Sequence, residues 1–262
     1  MTTTIALAGK GGVGKTTVAA LIIKYLIDTQ PGAVLAIDAD PSSNLNLLLG
    51  LDLEWTVGDI REDLLQQVQR SLTAAGAAMG ALPGGMTKRD YLDYEIRSAL
   101  AEGERFDLIA MGCSEGPGCY CAVNHSLREV VDTISKHYRY VVIDNEAGME
   151  HLSRRTTRDV DMLLIITNPS QRGLVAARRI AAFRHGLDIN VARAGLVLNG
   201  LRGAIIPPPL QETINTLDVP LLGTIPFDDA LLEFDTSGRP LLELAPTSPV
   251  RQAVVALMDE IM

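Results

Sequence analysis

Between the apolar run Ile5-Ala6-Leu7-Ala8 and a stretch in which Val18, Leu21, Ile22 and Tyr25 fall on one helical face lies Gly9-Lys10-Gly11-Gly12-Val13-Gly14-Lys15-Thr16-Thr17. Glycine, four residues, glycine, lysine and then serine or threonine is the pattern of a phosphate-binding loop, which requires a strand before it and a helix after it. Both flanks are present. Glycines let the backbone turn tightly and aim N–H groups at phosphate oxygens, while the following helix presents its positive end to the same anion. Gly11, Gly12, Val13, Gly14, Lys15, Thr16 and Thr17 therefore read as a nucleoside-triphosphate cradle. Within it, Lys15 neutralises the β- and γ-phosphates and Thr16 ligates Mg2+.

Ala33-Val34-Leu35-Ala36-Ile37 reads as the second strand, ending in Asp38-Ala39-Asp40-Pro41. In a doubly wound sheet the carboxyl ends of parallel strands share one edge, so Asp38 and Asp40 emerge beside the loop, facing Mg2+ and the γ-phosphate. Asp-Pro-Ser-Ser is also good turn chemistry, which leaves Asp40 an ordinary reading as a turn residue. Asn44 to Leu49 is a short helix ended by Gly50, and Trp55 reads as a packing residue. Asp59 to Leu72 is helical with Ile60, Leu64, Leu65 and Val68 on one side, and Ala74 to Gly85 reads as a mobile excursion. Thr87 caps the start of a helix carrying Tyr91, Tyr94, Ile96 and Leu100.

Phe106 to Gly112 reads as the third strand, followed by Cys113-Ser114-Glu115-Gly116-Pro117-Gly118-Cys119-Tyr120-Cys121 and a helix with Val123, Leu127, Val130, Val131 and Ile134 on its apolar face. A thiol at a helix N-terminus has a lowered pKa and favours thiolate, the form that binds soft metals. Cys119 and Cys121 are therefore candidate ligands. Two thiolates do not complete the four-ligand shell of Zn2+ or square-planar Ni2+, so a second chain, or Cys113 and His125, supplies the rest. The ordinary alternative is a pair of small buried residues or incidental surface thiols. His137, His151 and His185 read as structural or exposed.

Tyr140-Val141-Val142-Ile143-Asp144 is an apolar strand ending in aspartate, the Walker B pattern, in which Asp144 holds Mg2+ through water. Glu146 to His151 then reads as a segment responding to the γ-phosphate. Strands follow at Met162–Ile166, Ala194–Asn199 and Leu221 onward, with a helix from about Gly173 to His185. Pro226 and Phe227, at the end of the last strand, read as walls of the base site. The final helix places Val250, Val254, Leu257, Met258 and Ile261 on one face.

These elements amount to one α/β domain over residues 1–262, a mostly parallel sheet of about seven strands with helices on both faces. Composition agrees: 47% of the 262 residues are hydrophobic while only 4% are aromatic, which suits a parallel sheet covered on both sides. The net charge of −9 disfavours a general nucleic-acid or anionic-membrane surface. Met1-Thr2-Thr3-Thr4 runs directly into the first strand with no signal peptide, no apolar run approaches a membrane span, and three cysteines make no secreted framework. The expectation is a cytoplasmic protein.

With Lys10 inside the loop, Lys-Gly-Gly-Val-Gly-Lys-Thr-Thr resembles the deviant phosphate loop of the MinD/ParA/nitrogenase-iron-protein class of dimeric ATPases. The resemblance implies that Lys10 reaches the partner subunit's nucleotide, that Asp40 orients the attacking water, and that Asn199 contacts adenine. Ordinary readings remain, a solvated lysine for Lys10 and a strand-end turn residue for Asn199. Glu115 to Cys121, together with Asp144-Asn145-Glu146-Ala147-Gly148-Met149-Glu150-His151-Leu152 and Gly85-Met86-Thr87-Lys88-Arg89, is similar to the CooC-type maturation factors of nickel-dependent carbon monoxide dehydrogenase. That resemblance implies an ATP-hydrolysing homodimer binding ATP or ADP, in which paired Cys119 and Cys121 hold one Ni2+ or Zn2+ at the dimer axis. It also implies a carbon monoxide dehydrogenase as client. Cys113 departs from the pattern. An iron–sulfur cluster on the same four thiolates, as in a redox protein resembling the nitrogenase iron protein, or a MinD/ParA-like positioning role are the alternatives.

Overall fold

The computed structural model describes residues 2–73, 86–112, 122–147, 159–184 and 190–262. Its strands are β1 (Thr3–Gly9), β2 (Val34–Asp38), β3 (Ala101–Glu102), β4 (Phe106–Ala110), β5 (Tyr140–Asp144), β6 (Asp159–Thr167), β7 (Asn190–Leu201) and β8 (Leu221–Pro226). They form one sheet in the order β3-β4-β2-β5-β1-β6-β7-β8. Every pairing is parallel except β3 with β4. The described helices are α1 (Lys15–Thr29), α2 (Leu45–Leu49), α3 (Val57–Thr73), α4 (Lys88–Ser98), α5 (Ala122–Ser135), α6 (Gln171–Phe183), α7 (Pro208–Ile214), α8 (Asp229–Ser237) and α9 (Pro249–Ile261).

The strands are apolar throughout because both faces of the sheet are covered. Side chains alternate between two cores. Ile5 and Leu7 of β1, Val34 and Ala36 of β2 and Val142 of β5 join one core with α1 and α9. Ala6 and Ala8, Leu35 and Ile37, and Val141 and Ile143 join the other with α3, α4, α5 and α6. The last helix buries Val250, Val254, Leu257, Met258 and Ile261, the face its spacing predicts.

Several local signals act as expected. Gly50 ends α2 in the left-handed conformation, a position glycine adopts without a Cβ penalty. The Thr87 side chain accepts from the Asp90 N–H at the start of α4. Other expectations need correction. The sheet has an eighth strand, the two-residue β3, turned back on β4 through Arg105 at φ +67; two residues are too few for any periodicity to show. Trp55 is 54% exposed rather than packed, and Leu65 and Tyr94 are also exposed. α6 begins at Gln171 and ends at Phe183, because the Ser170 hydroxyl accepts from the Gly173 N–H and sets the start. Ala74 to Gly85, Cys113, Cys119, Cys121, His151 and His185 lie outside the described residues, as does the side chain of His125.

Candidate nucleotide site

The site is assembled where β1, β2, β5 and β7 end. Between β1 and α1 the chain turns through Gly12 at φ +75 and Gly14 at φ +86. Gly14 is the residue preceding α1 and has no side chain to cap it, no capping bond from a side chain is made there among the described residues, and no acidic residue lies in its first turn. The first N–H groups of a long, buried helix are thus left for an external acceptor, and the helix dipole favours an anion. Lys15 is buried with its helix, whereas Lys10, Gly11 and Gly12 are exposed at the rim. Thr16 and Thr17 are half-buried.

Asp38 and Asp144 stand side by side at the ends of β2 and β5, and both are buried. Asp38 accepts from the Leu45 N–H at 2.9 Å and the Asp40 N–H at 3.1 Å. It thereby ties the strand end to the start of α2. Burial pushes its carboxyl up to about 6, against the opposing backbone bonds. The Asp144 carboxyl is pushed up to about 7, first by burial; Asp38 and Asp40 add to the rise, while the Thr16 hydroxyl and Lys15 oppose it. Neither Asp144 oxygen completes a hydrogen bond among the described residues. A buried carboxylate without such a bond is costly. A hydrated cation would satisfy it, and the donor set of Asp144 carboxylate, Thr16 hydroxyl and water suits Mg2+.

Asp40 folds into the tight turn that its sequence context also allowed: its Oδ1 accepts from the Ser42 N–H at 2.9 Å and from the Ser42 hydroxyl. Next to Asp144, the Asn145 amide donates to the Leu7 carbonyl at 2.8 Å, fixing the end of β5 against β1.

On the other side of the loop, Asn199 reaches across β6. Its Nδ2 donates to the Val13 carbonyl at 2.8 Å, and a Cβ at Gly14 would collide with the same amide. The pairing of β7 with β8 shifts register between Asn199 and Leu201, around Gly200 at φ +78. A bulge of this kind re-aims the side chain beside it. Pro226 is half-buried at the end of β8, and Phe227 is exposed. Its N–H donates to the Leu201 carbonyl at 2.9 Å. The Arg202 guanidinium lies 3.8 Å over the centroid of the Phe227 ring. The reading of the chain missed Arg202; the only signal for it was an arginine between Gly200 and Gly203 just past Asn199. Among the described residues no three His, Cys, Asp or Glu side chains converge as a metal site, and no helix is long and apolar enough to cross a membrane.

An uncapped helix behind a glycine loop, with two carboxylates at adjoining strand ends, defines a P-loop nucleotide-binding protein. The model of the CobQ/CobB/MinD/ParA nucleotide-binding domain (CbiA) matches residues 4–241, and the chain belongs to that family of P-loop ATPases. An uncharacterised ATP-binding protein of Methanocaldococcus jannaschii is 41% identical over 98% of this chain and 97% of its own length. The carbon monoxide dehydrogenase accessory protein CooC of Rhodospirillum rubrum is 30% identical over 92% of this chain and 90% of its own. Among solved structures, the septum site-determining protein MinD of Pyrococcus horikoshii, complexed with Mg-ADP, superposes with a TM-score of 0.67 at 24% identity. The match covers 100% of this chain and 96% of that one. A ParA family ATPase from Chlorobium tepidum gives 0.70 at 20% identity, covering 98% of each chain.

Proposed function

We propose that this chain is a cytoplasmic, ATP-hydrolysing, homodimeric metallochaperone that carries nickel to a carbon monoxide dehydrogenase. The observation that carries the ATPase part is the buried Asp144 carboxyl, without a completed hydrogen bond among the described residues, beside Lys15, Thr16 and the start of α1 behind Gly14. Lys15 and the loop N–H groups would hold the phosphates. Mg2+, ligated by Thr16 and held through water by Asp144 and Asp38, would supply neutralising charge. Asp40, one residue beyond Ala39 at the same edge, would orient the water whose oxygen bonds to the γ-phosphorus as the bond to the ADP oxygen breaks. Asn199 and Pro226 mark the adenine side. The exposed Lys10 suits a contact with a second chain's nucleotide.

The nickel part rests on the likeness to CooC together with Cys119 and Cys121 in the sequence, whose thiolates, paired from two chains, would make a four-sulfur site for Ni2+ or Zn2+ as cargo. α9 is not itself a membrane-binding face: it buries its apolar side on α1 and β8 and carries Asp259 and Glu260 on its exposed side. The deciding experiment is ATP turnover with metal analysis on one preparation: Mg2+-dependent phosphate release together with nucleotide-dependent nickel binding supports the proposal. Turnover without any thiol-dependent metal binding would reduce it to an ATPase of another role.

A further inference from the structure

We infer that Arg202 is the stacking surface for the nucleobase, and that Phe227 serves as the backing that holds its guanidinium flat. The inference rests on the base-site reading of Asn199 and Pro226. The loops that follow β7 and β8 are joined by the Phe227 N–H to Leu201 carbonyl bond. This places Arg202, three residues past Asn199, over the Phe227 ring at 3.8 Å. A contact that close occupies the ring face it covers, so a base arriving from that side meets the guanidinium plane and not the ring. Arg202 is exposed and forms no ion pair among the described residues. Its free face is therefore available to a second planar group.

A guanidinium is planar, weakly hydrated and stacks on π-faces, whereas an ammonium is a hydrated point charge. Ring, guanidinium and base would form a three-layer stack, with Asn199 fixing the register by hydrogen bonds. Gly200 at φ +78 and Gly203 at φ +85 bracket Leu201 and Arg202, and a Cβ at either glycine would meet nothing within 4 Å. No atom of the described residues therefore crowds the backbone of either glycine that flanks Leu201 and Arg202. Because every base has a π-face, the contact adds affinity without choosing the base. Choice belongs to the Asn199 amide.

The test is competition binding of ATP, GTP and inorganic tripolyphosphate to the intact protein and to the variants Arg202→Ala, Arg202→Lys, Phe227→Leu and Asn199→Ala. Arg202→Ala should weaken ATP and GTP alike by roughly tenfold and leave tripolyphosphate within twofold. Arg202→Lys should lose as much as alanine, since charge without a plane does not stack. Phe227→Leu should lose less, and adding it to Arg202→Ala should cost nothing further. If Arg202→Lys behaves as the parent while Arg202→Ala loses tripolyphosphate affinity, Arg202 acts as a charge on phosphate and the inference is wrong. If Arg202→Ala is silent but Asn199→Ala alters the ATP to GTP ratio, the inference fails and the base-site reading stands. Silence of both, with tripolyphosphate competing as well as ATP, overturns the base-site reading and this inference with it.

Discussion

Asp38 and Asp144 are register partners on adjacent parallel strands, two buried carboxyls at one sheet edge with pKa values raised to about 6 and about 7. Raised values mean that the folded chain holds protons the unfolded chain, with carboxyls near 3.8, has released. Between about pH 4 and pH 7 stability therefore falls as pH rises, and the loss persists above that window. Without nucleotide or Mg2+, urea denaturation should show the protein less stable at pH 8 than at pH 5 by on the order of 4 kcal/mol, the two carboxyls taken together. Asp144→Asn should flatten that slope. A stability that climbs from pH 5 to pH 8 would show that the pair is held charged by other means.

Asp40→Ala should abolish ATP turnover while leaving ATP affinity within a few-fold. On the proposed mechanism the residue positions water, and a carboxylate offers phosphate no donor. Losing such a group removes roughly a hundredfold or more in rate. Because Ser42 bonds only Oδ1, Ser42→Ala should slow turnover much less. Parental rates in Asp40→Ala, measured by phosphate release, would remove Asp40 from the reaction.

Lys15 and Lys10 should separate by experiment. Lys15→Ala takes a buried ammonium from the phosphate cradle and should weaken ATP binding by at least tenfold in calorimetry. Lys10→Ala should bind ATP nearly as the parent but lose ATP-promoted dimers in light scattering. Equal dimer fractions would make Lys10 a solvated rim residue.

Gly14 combines a positive φ with the Asn199 amide packed against the position of its missing Cβ. Gly14→Ala should displace Asn199 from the Val13 carbonyl and reduce ATP affinity by at least tenfold, with thermal stability lowered by about 1–2 kcal/mol. An alanine variant with parental ATP affinity would show that the loop tolerates another path.

The cysteine pair predicts a stoichiometry. Zn2+ or Ni2+ titrated into reduced, metal-free protein should saturate at one metal per two chains, and Cys119→Ser or Cys121→Ser should abolish it while Cys113→Ser does not. Affinity should fall with pH as protons compete for thiolate. One metal per chain with Cys113 required would uncouple metal from dimer. A visible chromophore in anaerobically purified protein would favour an iron–sulfur cluster.

What the sequence determined by itself was whatever local physics decides within one element: the glycine loop between strand and helix, the apolar runs ending in Asp38 and Asp144, Gly50 stopping α2, Thr87 capping α4 and the buried face of α9. Each rests on neighbours a few residues apart, so spacing carries it. What only the tertiary structure decided depends on elements distant in the chain. The two-residue β3 exists because β4 offers it a partner, and the exposure of Trp55 is a matter of which elements pack near it, not of its own hydrophobicity. The bond from Asn199 to Val13 crosses β6, and Arg202 meets Phe227 only because β7 and β8 are neighbours. The raised carboxyls belong here too. Any chain can end a strand in aspartate, but the pairing of β2 with β5 sets two such ends side by side, away from water, where desolvation outweighs the backbone bonds that favour charge.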